Sequence, residues 1–271
     1  MSAPALLIDI GNSRVKWAQA TPGGGALQAH GAYAYEHPQD EDLRGSLSAA
    51  LMQVLPRAVS AAVIVSVGRQ ALAQGVAQSL RRERSARVVL AQVQREFRGL
   101  TVGYNHPSHL GVDRWVAMLG AGRLVGYPCT VVDLGTAVTV DAVDRAGQHL
   151  GGAIAPGRTL QRRSLRQSTA RIRTGEREPA PSSLFARDTA EAVAAGVDHG
   201  LAALVNLAQA DAARELALCG SLKADRAWPP LLVTGGDAPD LLPLLPAHAQ
   251  HVDDLVLEGA RSLLEGAEEI R

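Results

Sequence analysis

The chain has 271 residues, 46% of them hydrophobic, which is enough to build one large domain or two small ones. Its 27 basic residues balance 27 acidic ones, which argues against binding to nucleic acid or an anionic membrane through net charge. The two cysteines, Cys129 and Cys219, form no CxxC pair, which disfavours a disulfide framework or structural zinc. With no basic signal segment and no apolar run near the ~18 residues of a membrane helix, we expect a cytoplasmic protein.

The first half of the chain predicts buried strands alternating with helices. The apolar run Ala5–Ile10 predicts a buried strand that ends in a tight turn at Gly11 and Asn12, and residues 15–18 predict the returning strand of a hairpin. The remaining predicted elements are helices at 40–54, 71–84 and 113–125 and strands at 61–67 and 88–90.

A second copy of the opening pattern begins at Cys129. Residues 129–136 repeat residues 6–12: an apolar strand, an Asp, one apolar residue, a Gly and a small polar residue. Residues 138–140 then match residues 15–17. A single repeat at this distance predicts two copies of one domain, which we place at residues 1–118 and 119–271.

The second half continues with the same alternation. Residues 147–157 predict a Gly- and Pro-rich hairpin and loop, and the arginine-rich stretch 158–177 predicts a solvated face or a subunit contact. A helix at 188–210, a strand at 231–234 and a helix at 254–265 follow. After that strand, residues 235–237 predict either a plain turn or an adenosine contact. The alternation indicates an α/β fold.

The turn that follows the first predicted strand contains groups that can bind phosphate. There is no P-loop and no strand followed by GxGxxG, so ordinary P-loop and Rossmann sites are unsupported. Gly11 permits close backbone approach, Asn12 and Ser13 add short donors, and Lys16 can place a charge on a phosphate. The alternatives are a turn cap for Asp9 and a solvent-facing side chain for Lys16.

The second turn suggests a shared cation site. Asp133, Gly135 and Thr136 form this turn, and two carboxylate-bearing turns facing one another could hold hydrated Mg²⁺ and nucleotide phosphates between the domains. Thr136 and Thr139 can donate hydroxyls to phosphate. The alternative is that Asp133 and Thr136 only form the turn.

A third group lies at a predicted helix start. Asp113 can accept a proton from an attacking hydroxyl, and Arg114 can bind a carboxylate or phosphate through two hydrogen bonds. With Tyr104 upstream, this segment predicts a substrate pocket. The alternative for Asp113 is a helix N-cap.

Together these segments resemble the type III pantothenate kinases, also called Bvg accessory factors, within the superfamily of acetate kinases, sugar kinases, heat-shock chaperones and actin. The motifs run in family order: DxGNTxxK at residues 9–16, GxDR at 111–114, DxGTA at 133–137, GGxIxPG at 151–157 and NTxxAxxxG at 188–196. Ser13 replaces the usual Thr, and Asp188 stands where Asn is common.

The resemblance implies two duplicated ribonuclease H-like domains of the actin-like ATPase fold, with a cleft between them. It implies ATP-dependent phosphorylation of pantothenate, the first step of coenzyme A synthesis. Family members are homodimers with pantothenate near the dimer interface, and they use ATP, Mg²⁺ and a monovalent cation, K⁺ or NH₄⁺. No nucleic acid or membrane partner is expected.

The resemblance also implies residue roles. Asp113 would be the general base, Asp9 would support Mg²⁺, and Asp133 would hold the monovalent cation. ATP would contact Asp9, Ile10, Gly11, Asn12, Ser13, Arg14, Val15, Lys16 and Thr136. Pantothenate would contact Tyr104, Gly111, Val112, Asp113, Arg114 and Thr189.

Two other functions fit the same fold. The chain could be a nucleotide-binding accessory or transcription-regulatory protein, or a kinase for another small alcohol. The absence of a basic recognition helix in the sequence, and the presence of Asp113, Lys16 and Asp133, speak against the regulatory protein, and a substrate panel would separate the two kinases.

Overall fold

A computed structural model of the chain describes residues 4–21, 25–35, 41–168, 183–218, 220 and 228–269. Contacts within the chain divide it into two compact units. The first unit is Met1–Gly126 together with Asp254–Arg271, and the second is Tyr127–Asp253.

The first unit is built on a five-stranded sheet in the order β3-β2-β1-β4-β5. Strands β1, β2 and β3 are antiparallel neighbours, and β4 and β5 extend the sheet in parallel with β1. Its elements are β1 Ala5–Ile10, β2 Arg14–Ala20, β3 Gln28–Ala34, α1 Glu41–Val54, β4 Ala61–Ser66, α2 Gln70–Arg84, β5 Arg87–Leu90, the short hairpin β6 Glu96–Phe97 and β7 Leu100–Thr101, and α3 Val112–Val125.

The second unit repeats this topology in the sheet order β10-β9-β8-β11-β12. Its elements are β8 Cys129–Leu134, β9 Ala137–Val143, β10 His149–Pro156, α4 Arg158–Ser168, α5 Thr189–Leu218, β11 Leu231–Thr234, α6 Ala238–Leu241 and β12 Ala249–His251. Helix α7, Leu255–Glu269, follows and belongs to the first unit.

Burial follows the same pattern in the two copies. Strands β1 and β8 each have four buried residues, a half-buried Asp and a last buried residue. Strands β2 and β9 also have the same sequence of exposed, half-buried and buried positions. Since β1 and β8 are covered on both faces, they read as continuous apolar runs. The predicted duplication is confirmed by this match of topology and burial.

Helices α7 and α3 pack so closely that their backbones are in contact at two glycines. A Cβ on Gly259 would lie 1.8 Å from the Val116 carbonyl oxygen, and one on Gly120 would lie 2.3 Å from the Leu255 carbonyl oxygen. The division therefore differs from the sequence-based one. The proposed boundary at 118/119 falls inside α3, and α7 returns to the first unit.

Three further details differ from the sequence-based expectations. Strand β3 was not predicted, and α5 runs to Leu218 rather than 210. In the arginine-rich stretch, Arg158 and Arg162 bind Asp198, so the solvated-face prediction is wrong for these two arginines. Residues 169–177 of that stretch lie outside the described part. No helix among the described residues is long and apolar enough to cross a membrane.

Replacing Gly259 with Ala is expected to lower the free energy of unfolding by about 1–3 kcal/mol, because the new methyl group must push α3 and α7 apart. Urea unfolding measures the change. The matched control is Gly200→Ala on α5, where a Cβ meets nothing within 4 Å. That exposed change should stabilise by ~0.5–1 kcal/mol through helix propensity. Equal effects at the two positions would contradict the packing argument.

Candidate functional site

The first turn joins β1 to β2 and places an acid beside a lysine. Asp9 is half-buried near the end of β1 and is the register partner of Lys16 on β2. The Gly11 N–H donates to the Arg14 carbonyl at 3.0 Å, which closes the turn. The side chains at positions 12 and 13 are exposed. The turn therefore presents short polar groups next to a carboxylate and an ammonium.

Two residues beyond the turn hold its backbone. The Tyr35 hydroxyl donates to the Gly11 carbonyl, and the Tyr35 N–H donates to the Ser13 carbonyl at 3.0 Å. Arg69 donates to the Asn12 carbonyl at 3.3 Å, and its guanidinium carbon lies 5.6 Å from the Tyr35 ring centroid. All three carbonyls of the turn therefore accept hydrogen bonds from the protein. A fixed turn costs little reorganisation when a ligand binds.

Lys16 also contacts a carboxylate from the last helix. Its Nζ lies 3.9 Å from Asp254 Oδ1, and His30 Nδ1 lies 2.7 Å from Asp254 Oδ2. Sequence reasoning placed Asp254 only at a helix start and gave His30 no role. No local pattern could connect residue 254 with residue 16, because the fold alone brings them together.

The second turn, between β8 and β9, is one residue shorter than the first. The Gly135 N–H donates to the Ala137 carbonyl at 3.1 Å, and Thr136 is exposed. Asp133 is half-buried and is the register partner of Thr139, which therefore occupies the place of Lys16 in the first unit.

Two glycines from other segments press against this second turn. The Gly157 N–H donates to the Thr136 carbonyl at 3.0 Å, and a Cβ on Gly157 would lie 2.1 Å from the Gly135 carbonyl oxygen. Gly235 has φ +100°, and its Cβ would lie 2.5 Å from Asp133 Oδ1. Residues 235–237 thus form a turn that packs directly on the β8–β9 turn.

The third group gathers at the start of α3. Asp113 Oδ1 accepts a hydrogen bond from the Arg114 N–H at 2.8 Å. Arg114 is only 6% exposed, its Nη1 donates to the Tyr104 hydroxyl at 2.9 Å, and its guanidinium carbon lies 5.6 Å from that ring's centroid. A Cβ on Gly111 would lie 2.6 Å from Asp113 Oδ1. The structure therefore joins Tyr104, Arg114 and Asp113 into one group.

The last predicted residue lies in the second unit. Thr189 is the first residue of α5 and is exposed. Asp188 Oδ1 accepts a hydrogen bond from the Glu191 N–H at 2.9 Å, so Asp188 caps this helix. Among the described residues, no group of three or more His, Cys, Asp or Glu side chains could hold a metal ion.

Comparison with known proteins identifies the family. The sequence model of the type III pantothenate kinases matches residues 5–210, a range that includes all three groups and Thr189. The chain belongs to the type III pantothenate kinase family. A type III pantothenate kinase of Halorhodospira halophila is 39% identical over 259 residues, which cover 94% of this chain and 95% of the relative.

Solved structures share the fold of this type III pantothenate kinase family member. A conserved protein of Campylobacter jejuni assigned to the Baf family of transcriptional activators has a TM-score of 0.58 at 18% identity, covering 97% of this chain and 99% of its own. MreB 5 of Spiroplasma citri, solved bound to AMPPNP, has a TM-score of 0.53 at 12% identity, covering 100% of this chain and 98% of its own. The expected actin-like ATPase fold is confirmed.

Replacing Tyr35 with Phe is expected to lower the free energy of unfolding by about 0.5–1.5 kcal/mol at pH 7, because the hydrogen bond to Gly11 is lost. Burial raises the pKa of the Tyr35 phenol, Arg69 lowers it and Asp9 raises it, with a net upward shift from 10.0. The native state thus holds this proton more tightly than the unfolded state.

The stability that Tyr35 contributes is accordingly full below pH 10 and is lost as the pH rises through its native pKa. Urea unfolding of wild type and Tyr35→Phe between pH 7 and pH 11 should show the two curves converging at high pH. Tyr33→Phe, on the neighbouring strand β3, is the matched control and should change stability by less than ~0.5 kcal/mol. A difference that grows with pH would contradict the assignment.

Proposed function

We propose that this chain transfers the γ-phosphoryl group of ATP to the primary hydroxyl of pantothenate, giving 4'-phosphopantothenate and ADP as the first step of coenzyme A synthesis. The observation that carries the proposal is the family match over residues 5–210, which includes both Asp-Gly turns and the group at Asp113. Because the reaction consumes ATP, we place it in the cytoplasm, as the sequence predicts.

The two turns supply the ATP contacts in this proposal. Residues 9–16 bind the phosphates through the turn and through Lys16, whose charge offsets the charge on the transferring phosphoryl oxygens. Thr136 contributes a hydroxyl from the second unit. The protein hydrogen bonds to the carbonyls at positions 11, 12 and 13 support this role, because they hold the turn in one conformation before ATP binds.

The residues present fit the expected cations. Asp9 is a half-buried carboxylate beside the phosphate turn, and Mg²⁺ typically binds one or two carboxylates together with water and substrate phosphates. When bound, Mg²⁺ neutralises charge on the phosphate oxygens. Asp133, with the Gly235 backbone against its Oδ1, would hold K⁺ or NH₄⁺.

The group at the start of α3 supplies the pantothenate contacts. The buried Arg114 guanidinium, fixed by Tyr104, binds the substrate carboxylate, and Asp113 faces the hydroxyl. The hydroxyl oxygen attacks the γ-phosphorus, the bond to the β–γ bridging oxygen breaks, and the hydroxyl proton passes to Asp113. Residues 111 and 112 shape this pocket, and Thr189 adds a hydroxyl contact from α5.

The direct test is a coupled assay of ADP release with Mg²⁺, with and without pantothenate, in K⁺ and in Na⁺ buffers. We expect release that requires pantothenate and is faster in K⁺. Release indifferent to pantothenate would favour the nucleotide-binding regulatory protein. Release that requires a different alcohol, found with a substrate panel, would favour the other kinase.

Replacing Asp113 with Asn is expected to lower kcat by ~10²–10⁴-fold, because the base is lost while the Asn side-chain oxygen can still accept the hydrogen bond from the Arg114 N–H. Circular dichroism and Tm should stay near those of wild type. Asp211→Asn, an exposed acid on α5 paired with Arg214, is the control and should leave kcat unchanged. Near-normal turnover of Asp113→Asn would remove Asp113 as the base.

We further propose that the chain is a homodimer joined through β10 and α4. Ile154 is 65% exposed and Leu150 43% exposed on β10, which is an edge strand. Leu160 and Leu165 are exposed on the next helix. A run of exposed apolar side chains beside an edge strand is typical of an interaction surface.

Replacing Ile154 with Asp is expected to convert the dimer to a monomer, because a charge would have to be buried in the interface. Analytical ultracentrifugation measures the mass of each variant. The control is Val54→Asp on α1, which is 44% exposed in the first unit and should leave the mass unchanged. A dimer that survives Ile154→Asp would place the contact elsewhere.

A further inference from the structure

We propose that Arg158 is a positioning residue for ATP binding. It sets the distance between the two loops that contact the β8–β9 turn. The inference rests on the proposed function, since it assigns that turn to ATP. It adds a residue to which neither the family motifs nor the sequence analysis gave a role.

Arg158 lies between three elements of the second unit. Its Nε and Nη2 bind Asp198 of α5 at 2.8 and 2.9 Å, which is a two-point contact. Its Nη1 binds Asp240 of α6 at 2.5 Å and lies 3.9 Å from Asp237. The Arg158 side chain is 12% exposed and that of Asp198 only 3%, so water competes weakly for the contact between these two residues.

These elements lead directly to the turn. Arg158 follows Gly157, whose N–H donates to the Thr136 carbonyl at 3.0 Å. Asp237, on the other side of the guanidinium, donates its N–H to the Leu134 carbonyl at 2.9 Å. Arg158 therefore joins the two segments whose backbones hold the turn from both ends. A shift of the Gly157 segment would move the Thr136 backbone, and a shift of the Asp237 segment would move the end of β8 at Leu134.

The charges explain why an arginine suits this place. The pKa of Asp237 is raised above its usual value because burial outweighs the opposing effect of the Arg158 charge. The planar guanidinium binds Asp198 with one edge and leaves Nη1 for Asp240, which the single ammonium of Lys cannot do in the same geometry.

The link to α6 can be tested apart from the stability of the unit. Arg162 also binds Asp198, at 3.0 Å, so α4 keeps a contact with α5 when Arg158 is changed. Asp240 is 66% exposed, so Asp240→Ala removes the α6 contact without leaving a buried charge. This variant should keep the wild-type Tm.

The experiment measures kcat and both KM values for wild type, Arg158→Gln, Asp240→Ala and Arg163→Gln. Arg163 is an exposed arginine of the same helix and serves as the control. We expect KM for ATP to rise about tenfold in Arg158→Gln and at least threefold in Asp240→Ala. KM for pantothenate should stay within twofold, and Arg163→Gln should match wild type.

A KM for ATP within twofold of wild type in Asp240→Ala would overturn the inference, even if Arg158→Gln loses activity together with Tm. If wild type releases no ADP with pantothenate, the proposed function fails but the inference is still tested. In that case the affinity for AMPPNP, measured by calorimetry, and the rate of hydrogen exchange at residues 133–137 are compared between wild type and Asp240→Ala. Weaker binding and faster exchange in Asp240→Ala support the role of Arg158, and unchanged values overturn it.

Discussion

The site in the second unit depends on how closely other backbones can approach the turn that ends β8. In the second unit, Gly157 and Gly235 bring their backbones so near the turn that a Cβ at either position would overlap a carbonyl oxygen. Because these contacts are made by the main chain, they fix the turn without using the side chains that face a ligand. The residue types at 157 and 235 are therefore set by distance rather than by chemistry.

The two units share one sheet topology, but the β1–β2 turn differs from the β8–β9 turn. In each unit the segment after the adjacent parallel strand donates an N–H to the end of the central strand: Val67 to Ile10 at 3.4 Å and Asp237 to Leu134 at 2.9 Å. The first turn is longer by one residue and stands beside Lys16, whereas the second stands beside Thr139. One copy thus carries a cationic group and the other a hydroxyl, on strands of identical burial pattern.

Local signals in the sequence were sufficient for the central strands and their turns. A mainly apolar run of four residues, an Asp and a Gly define both β1 and β8, because a strand covered on both faces and a tight turn each demand particular residue types. Strand β3 lacked such a signal, since it is an edge strand in which every residue is exposed or only partly buried. The grouping of Tyr104 with Asp113 and Arg114 also followed from nearby residues, whereas the hydrogen bond between Tyr104 and Arg114 was seen only in the structure.

The contacts that cross the chain could not be predicted. Arg158 binds partners 40 and 82 positions away, and without them an arginine-rich segment reads as a solvated face. The contact of Asp254 with Lys16 likewise exists only because α7 returns to the first unit. Sequence periodicity reports which face of a helix is buried, but it does not say which unit provides the partner.

The return of α7 has a consequence for how the protein is made. Helix α7 packs on α3, β4 and β1, yet the ribosome synthesises it after all of residues 127–253. Residues 1–126 therefore keep the apolar surface that α7 covers exposed until the second unit and then α7 have been synthesised. The later unit is contiguous and can close first, so the order of maturation runs opposite to the order of translation.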